Sequence, residues 1–267
     1  MSDARLDAAL SASGLARSRT HAARLIADGL VSVNGHPEVK ASFRVAEGSA
    51  LEVAAADHYV SRSAHKLVAA LDAFDVVTRG RLALDLGAST GGFTQVLLER
   101  GMTRVIALDV GHDQIAAEIR ADDRVTVIEG FNARSMTAGS LAAAAGDSVL
   151  PEIGLVVADL SFISLPLVLP AMVATAGLDA DFVLLVKPQF EVGRSREGIV
   201  KNPGLRADAV NGVLWAAWDV GLATAGVVSS PIAGTNGNHE YLVWLSVAHG
   251  TNPTEWSARV TAMTETA

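Results

Sequence analysis

Apolar residues after position 80 occur in short runs that alternate with longer amphipathic stretches, and polar or glycine-rich turns separate them. Short apolar runs of this kind are typical of buried strands, and the amphipathic stretches between them are typical of helices. The alternation predicts a Rossmann-like α/β fold, in which helices cover both faces of a mostly parallel sheet. Seven strands are predicted, at residues 81–86, 104–109, 125–129, 153–159, 182–187, 222–228 and 240–247.

The amino-terminal region has a different pattern. Residues 6–12 place apolar side chains on one helical face, and a second helix is predicted over residues 20–28, with Ser18 as its N-cap. The pair Asn34-Gly35 follows a short alternating segment and favours the type I′ turn of a β-hairpin. We therefore predict a small α+β domain over residues 1–58, an interdomain linker over 59–66, and the α/β domain over 67–267.

Residues 160–178 form an uncharged stretch whose length suggests a membrane span. The stretch contains Pro166 and Pro170, and Asp159 and Asp179 flank it. Two prolines and several hydroxyl side chains fit a loop that leads into a buried helix better than they fit a transmembrane helix.

Composition excludes several classes of protein. Half of the residues are hydrophobic and 19% are charged, which fits a globular protein rather than a disordered or collagen-like chain. Because the chain has no cysteine, a disulfide framework and cysteine-ligated zinc are excluded. The first ten residues lack the basic segment and apolar run of a secretory signal, so a cytoplasmic location is expected.

Charge is unevenly distributed along the chain. Residues 1–66 hold 8 basic and 7 acidic side chains, whereas residues 67–267 hold 13 basic and 22 acidic side chains. Because neither region is strongly basic, binding of nucleic acid would have to come from a local cluster.

A basic cluster of this kind is predicted in the amino-terminal domain, around Arg17 and Arg24, which lie seven positions apart. Judged by residue types alone, solvated arginines on a helical hairpin are an equally good interpretation. The ordered series Arg5-Leu-Asp, Gly-Leu-Ala-Arg17-Ser-Arg19, Val-Asn-Gly35 and Lys40 resembles the αL RNA-binding module of a small-subunit ribosomal protein, pseudouridine synthases and tyrosyl-tRNA synthetases. The resemblance implies a small RNA-binding domain, and the basic residues predicted to bind RNA are Arg5, Arg17, Arg19, Arg24, Lys40 and Arg62.

The first predicted strand breaks into a glycine-rich loop that opens a helix near Phe93. Its order, Asp85-Leu-Gly87-Ala-Ser-Thr-Gly91-Gly-Phe, differs from the Gly-x-Gly-x-x-Gly of dinucleotide-binding loops. A phosphate-binding P-loop would need a lysine that this segment lacks. An acidic strand end followed by glycine-rich backbone suits S-adenosylmethionine, which carries an ammonium group and ribose hydroxyls.

Asp109 ends the next strand, 24 residues after Asp85, where its carboxylate would accept both ribose hydroxyls. Either aspartate could instead cap a helix, and Asn132 could simply belong to a turn rather than border the adenine. The residues predicted to bind the cofactor are Asp85, Gly87, Ala88, Ser89, Thr90, Gly91, Gly92, Phe93, Asp109, Asn132, Ala133 and Asp159.

Asp159 and Lys187 each follow an apolar strand, and carboxyl strand ends line the ligand crevice of an open α/β sheet. A lysine that closes a run of buried aliphatic residues is expected to be partly desolvated, which favours the neutral amine. The alternative is a lysine whose stem is buried and whose amine pairs with an acid. Taken singly, Glu240 and Lys66 would be interpreted as surface residues.

Together these residues carry a second resemblance, to the TlyA, or hemolysin A, family. Its motifs are Ser-Arg62 with His-Lys66-Leu, the loop from Asp85 to Thr94, Asp159-Leu-Ser-Phe-Ile-Ser, Leu-Val-Lys187-Pro-Gln-Phe-Glu, and Gly-Asn-His-Glu240-Tyr. The resemblance implies an FtsJ-like domain that methylates the 2′-hydroxyl of cytidine in ribosomal RNA, with both 16S and 23S RNA as expected substrates. The Lys-Asp-Lys-Glu catalytic tetrad of that family corresponds to Lys66, Asp159, Lys187 and Glu240. Methyl transfer by such a tetrad requires no metal, so none is expected.

Two alternatives of other classes are also considered. One is an RNA-binding protein whose methyltransferase-like domain is inactive, and the other is a pore-forming hemolysin. A complete tetrad and cofactor loop disfavour the first, and the absence of a recognisable signal or amphipathic basic helix disfavours the second.

Overall fold

The computed structural model describes residues 4–16, 18–27, 29–46, 48–53, 58–193, 198–234 and 237–266. The chain divides into two compact units, Met1–Arg62 and Ser63–Ala267. The division falls inside the segment 59–66 that the sequence predicts as a linker. The last three residues of that segment are already helical.

Two helices and five short strands form the described part of the amino-terminal unit. Ser18 Oγ accepts a hydrogen bond from the backbone N–H of His21 at 3.1 Å, as expected of an N-cap. Asn34 and Gly35 have φ angles of 53° and 78°, the left-handed conformation of a type I′ turn. The elements are β1 (Ala4–Arg5), α1 (Leu6–Ala12), α2 (Arg19–Ala27), β2 (Val31–Val33), β3 (His36–Pro37), β4 (Arg44–Val45) and β5 (Leu51–Val53).

The strands of this unit form two small antiparallel sheets, one from β1 and β4 and the other in the order β3-β2-β5. Both helices bury apolar side chains against them, with Leu6, Leu10 and Ile26 fully buried. The unit therefore has a hydrophobic core of its own.

A seven-stranded sheet forms the centre of the second unit, and each strand end lies within two residues of its predicted position. The short apolar runs and the turn residues between them thus predicted the sheet correctly. The strands are β6 (Leu82–Leu86), β7 (Arg104–Leu108), β8 (Val125–Ile128), β9 (Ile153–Ala158), β10 (Asp181–Val186), β11 (Thr224–Ser229) and β12 (Tyr241–Leu245).

The order across this sheet is β11-β12-β10-β9-β6-β7-β8. Strands β6 to β10 pair in parallel, whereas β12 is antiparallel to β10 and to β11. The chain runs outward from β6 in one direction through β7 and β8, and returns to the other side with β9. The carboxyl ends of β6 and β9 therefore form the switch point at which open α/β sheets bind ligands.

Helices cover both faces of the sheet. Helices α6, α7, α9 and α10 pack on the face that carries Leu84, whereas α4 meets the opposite face, where Thr94 bonds to Asp85. The helices of this unit are α3 (Ala64–Ala73), α4 (Gly92–Glu99), α5 (Ala117–Arg120), α6 (Ala138–Ala145), α7 (Leu169–Ala176), α8 (Pro188–Glu191), α9 (Pro203–Asp219) and α10 (Ser257–Glu265).

The uncharged stretch 160–178 forms a loop, a short 3-10 helix at Leu165–Leu167, and α7. Pro166 and Pro170 lie in the first turns of these two helices, where a missing backbone N–H removes no helical hydrogen bond. Within the part of the chain that the structure describes, no helix has the length and apolar character needed to cross a membrane.

Candidate active site

Four charged side chains meet at the edge of the sheet where the parallel strands end. Lys66 Nζ lies 2.6 Å from Glu240 Oε2 and 4.0 Å from Asp159 Oδ2, and Lys187 Nζ lies 2.6 Å from Asp159 Oδ1. The ion pairs thus form a continuous series from Glu240 through Lys66 and Asp159 to Lys187. We call these four residues the tetrad.

The direction of β12 explains why residues so distant in the chain meet. Asp159 and Lys187 directly follow the parallel strands β9 and β10, whereas Glu240 directly precedes β12. Because β12 is antiparallel and Tyr241 pairs with Val186, the start of β12 lies beside the end of β10. Lys66 joins them from the first turn of α3, a helix that contacts β12.

The tetrad is buried, which makes its pairing necessary. Lys66 and Lys187 are 6% and 8% exposed, and Glu240 is 3% exposed. Isolated charges at such depth cost several kcal/mol, so each lysine needs a carboxylate and the four charges cancel. In the sequence, Glu240 and Lys66 taken one at a time would be interpreted as surface residues, but the structure buries both side chains.

The glycine-rich loop approaches the tetrad at the switch point of the sheet. Gly87 has a φ of 81°, and a Cβ atom added there would lie 2.7 Å from the carbonyl oxygen of Asp159. Glycine at this position therefore lets the ends of β6 and β9 approach each other closely. The sequence had suggested only that the glycine-rich loop makes room for a ligand. Ser89 also adopts a left-handed conformation, with a φ of 48°.

Asp109 is oriented by two backbone amides. Its Oδ2 accepts a hydrogen bond from Ser89 N and its Oδ1 accepts one from Gly111 N, both at 2.8 Å. A carboxylate oxygen has further lone pairs, so Asp109 can accept additional hydrogen bonds from a ligand.

Asp85 is fully buried on the face of β6 toward α4. Its Oδ2 accepts a hydrogen bond from Thr94 Oγ1 at 2.7 Å, and its Oδ1 has no hydrogen-bond partner in the structure. Burial raises the pKa of Asp85 to about 7, and the nearby charges of Asp159 and Asp109 act in the same direction. An unpartnered, buried carboxylate oxygen of this kind can accept a cationic group.

A cavity of about 410 Å³ lies next to these residues. Six of the residues predicted to bind the cofactor line it, namely Gly87, Ser89, Asp109, Asn132, Ala133 and Asp159. The other predicted residues, Asp85, Ala88, Thr90, Gly91, Gly92 and Phe93, do not contribute to its lining. The Phe93 side chain is buried within the fold, because it lies on the inner face of α4.

Several lining residues were not predicted from the sequence. Gln114 and Phe131 border the cavity, and so do Ser161 and Phe162 of the segment after β9. Phe162 is 91% exposed, and its φ of 65° is unusual for a large side chain. An aromatic residue directly after Asp159-Leu-Ser is the one signal in the sequence that marks this wall.

The chemistry of the cavity indicates a ligand with both polar and apolar parts. Asp109 can accept hydrogen bonds from hydroxyl groups, and Leu108, Phe131 and Ile163 supply apolar surface. Among the residues that the structure describes, no group of three or more His, Cys, Asp or Glu side chains could hold a metal ion.

In the amino-terminal unit, Asp7 holds two of the arginines predicted to bind RNA. Arg5 Nε lies 3.0 Å from its Oδ1, and Arg19 Nη2 lies 3.0 Å from its Oδ2. The hydrogen bonds from Arg5, together with the charge and hydrogen bond of Arg19, lower the pKa of Asp7 to about 2. The carboxylate is buried while both guanidinium groups remain largely exposed, so Asp7 fixes their position.

The other predicted RNA-binding residues are less restrained. Arg24 lies in the last turn of α2 and Lys40 in the loop before β4, and both are exposed, whereas Arg62 is half-buried. Arg17 lies outside the described residues. The sequence did not single out Arg44, which is exposed and pairs directly with Arg5 across the small sheet.

Comparison with known proteins identifies relatives of both units. The family model of FtsJ-like methyltransferases matches residues 59–247, and that of the S4 domain matches residues 4–51. The chain is 49% identical over 247 residues to the 16S/23S rRNA (cytidine-2'-O)-methyltransferase TlyA of Mycobacterium tuberculosis, covering 91% of this chain and 89% of that protein.

Two further relatives carry hemolysin names. Hemolysin A of Brachyspira hyodysenteriae is 36% identical over 241 residues, which cover 89% of this chain and 98% of that protein. A solved structure from Streptococcus thermophilus with a provisional hemolysin name is 34% identical and superposes with a TM-score of 0.75, covering 100% of this chain and 97% of that chain.

Proposed function

The chain belongs to the TlyA family, whose members join an S4 domain to an FtsJ-like methyltransferase domain, and we propose from this premise that it methylates ribosomal RNA. The proposed reaction transfers a methyl group from S-adenosylmethionine to the 2′-hydroxyl of a cytidine. By similarity to the relative whose name specifies 16S and 23S RNA, both ribosomal subunits are the proposed substrates.

The observation that carries the proposal is the buried tetrad beside the cavity. Asp159 lines the cavity and pairs with Lys187 at 2.6 Å, so the lysine amine is held against a residue of the cavity wall. Lys66 and Glu240 complete the charge balance behind it. This arrangement unites a candidate base with a ligand site in one crevice.

Asp109 and the apolar walls of the cavity fit S-adenosylmethionine, and Asp85 lies buried outside the cavity lining. The unpartnered Oδ1 of Asp85 suits the ammonium of the methionine portion, and Asp109 suits the ribose hydroxyls. Asn132 and Ala133 border the position proposed for the adenine, next to Phe131. When bound, the cofactor supplies an electrophilic methyl group on a sulfonium centre.

Within this scheme Lys187 removes a proton after its own amine has lost one, so the base is the neutral amine and not the ammonium of the ion pair with Asp159. A ribose hydroxyl is a poor nucleophile until its proton is transferred, so a base close to the oxygen promotes attack on the methyl carbon. The hydroxyl proton would pass to Lys187 Nζ, and S-adenosylmethionine would supply the methyl group, with its sulfur as the leaving group. Asp159 orients the amine, and Lys66 with Glu240 fixes Asp159 and the ribose.

The amino-terminal unit provides the proposed RNA contacts. Arg5 and Arg19, which Asp7 holds side by side, are directed at phosphates together with Arg17, Arg24, Lys40 and Arg62. Arginine binds phosphate through paired N–H groups, and prior orientation reduces the entropy lost on binding.

Methyl transfer to isolated ribosomal subunits that lack the modification tests the function. Purified protein with radiolabelled S-adenosylmethionine should label the RNA, and mapping of 2′-O-methyl groups should locate them on cytidines. Cofactor binding without labelling would favour the alternative of an inactive methyltransferase-like domain. Release of dye from liposomes by the same preparation would instead favour the activity that the hemolysin names suggest.

Replacing Asp109 with alanine should weaken cofactor binding by about 1–3 kcal/mol, because hydrogen bonds to a carboxylate are lost. The expected loss of affinity includes the effect of removing the hydrogen bond by which Asp109 restrains the backbone at Ser89. Calorimetric titration with S-adenosylmethionine measures the effect. Asp123→Ala removes an equal charge from an exposed loop and serves as the control. Equal affinities of the two variants would show that Asp109 does not hold the ribose.

Cofactor affinity should rise with pH between 6.0 and 7.5 in the wild-type protein. The pKa of Asp85 is raised to about 7, so Asp85 is mostly protonated at the lower pH and mostly ionised at the higher. Only the ionised form attracts an ammonium, and the affinity should increase about fivefold or more over this range. Titrations at both pH values measure the change, and Asp85→Asn should abolish it. A flat profile in the wild type would exclude Asp85 as the ammonium acceptor.

A further inference from the structure

The hydroxyl of Ser161 lies beside the amine of Lys187. Lys187 Nζ donates a hydrogen bond to Ser161 Oγ at 2.9 Å, and it forms an ion pair with Asp159 Oδ1 at 2.6 Å, an oxygen that accepts no hydrogen bond in the structure. Both groups come from one segment, because Asp159 and Ser161 are two positions apart after β9. Two of the directions around the nitrogen are therefore occupied by this segment.

The segment that carries Ser161 is held at its far end by the short helix α8. Glu191 accepts hydrogen bonds from the Ser164 hydroxyl at 2.6 Å and from Leu165 N–H at 3.0 Å. Since α8 begins directly after Lys187, the strand end that carries the lysine also anchors the segment that faces it. The distance between Ser161 and Lys187 is thus fixed by contacts on both sides.

The residue directly after Ser161 has a strained backbone conformation. Phe162 has a φ of 65°, which L-residues rarely adopt, and its ring centroid lies 5.3 Å from that of Phe190 in α8. Backbone strain of this kind persists only where surrounding contacts enforce it, and it often occurs at functional sites. The strain therefore lies next to the residue whose hydroxyl bonds to Lys187.

We propose that Ser161 is a positioning residue that directs the lone pair of Lys187 toward the ribose hydroxyl, an inference that rests on the proposed function. A neutral amine has two hydrogens and one lone pair in a roughly tetrahedral arrangement. When one hydrogen is directed to Ser161 and the carboxylate of Asp159 holds the nitrogen on a second side, the lone pair points away from both. The substrate hydroxyl then meets the lone pair and not an N–H group.

Removal of the hydroxyl in Ser161→Ala should lower kcat about tenfold, equivalent to about 1.4 kcal/mol in the barrier. The KM for ribosomal subunits and the affinity for S-adenosylmethionine should stay within about twofold, since Ser161 acts through Lys187. Ser161→Thr retains the hydroxyl at an exposed position and should restore kcat to within about twofold. Ser148→Ala, at an exposed serine that does not line this cavity, is the control.

A double-mutant cycle separates positioning from general support of the fold. In single-turnover assays, Ser161→Ala should change the rate of the Lys187→Ala protein by less than about twofold, because no amine remains to be oriented. Equal losses in both backgrounds, or a threonine variant as slow as the alanine variant, would overturn the proposal. Failure of the proposed function would be distinguishable, because the wild-type protein itself would then transfer no methyl group.

Discussion

Lys187→Ala should reduce the rate of methyl transfer by about 10²–10⁴-fold, the usual contribution of a general base. The substitution removes the only proton acceptor proposed for the ribose hydroxyl. Affinity for S-adenosylmethionine should change little, because Asp85 and Asp109 hold the cofactor in this scheme. Single-turnover transfer to ribosomal subunits at saturating cofactor measures the rate, and calorimetry measures the affinity. Lys201→Ala, which removes an exposed lysine, is the control.

The arginine variant distinguishes a base from a fixed positive charge. Lys187→Arg retains the charge beside Asp159, but a guanidinium does not lose its proton in proteins, so the rate should remain close to that of Lys187→Ala. Near wild-type turnover by Lys187→Arg would show that Lys187 acts only through its charge, and the proton-transfer role would be abandoned.

Deletion of residues 1–58 should abolish methylation of ribosomal subunits while leaving cofactor affinity near normal. The second unit has its own hydrophobic core and contains the whole tetrad, so its fold and cavity do not require the S4 domain. The deletion removes the proposed phosphate contacts of the S4 domain. Labelling of subunits and calorimetry with S-adenosylmethionine measure the two quantities on the same preparation. Full activity of the truncated protein would mean that the S4 domain is dispensable for RNA recognition.

Substitution of individual arginines in the full chain provides a control that leaves both units intact. Each phosphate contact removed should lower the slope of log affinity against log salt concentration by about 1. Arg5→Gln and Arg19→Gln together should therefore reduce that slope by about 2, whereas Glu52→Gln, on the exposed side of β5, should not reduce it.

Much of the architecture was predictable because it depends on local pattern. Strand β9 is a run of six buried apolar residues, and β6 is followed by glycines that allow left-handed conformations. Both features follow from neighbouring residue types. The hairpin at Asn34-Gly35 follows from the backbone preferences of two residues. The same reasoning placed Asp159 and Lys187 at strand ends, and the structure joins them in an ion pair.

The contacts that give the site its chemistry depend on residues far apart in the chain. Lys66 and Glu240 are 174 positions apart, and only the antiparallel insertion of β12 beside β10 buries them together. Residue types could not reveal that Asp7 holds Arg19, or that Ser161 meets Lys187, since these pairs lie 12 and 26 positions apart and meet only in the folded chain.

The sequence by itself determined which segments form strands and helices, where the glycine-rich loop lies, and, through resemblance to the TlyA family, which four residues form the tetrad. The tertiary structure alone decided that these residues are buried and paired, and which side chains orient them. The reason is physical: hydrophobic periodicity and turn preferences act between neighbours in the chain, whereas the pairing of buried charges depends on the order and direction of strands in the assembled sheet.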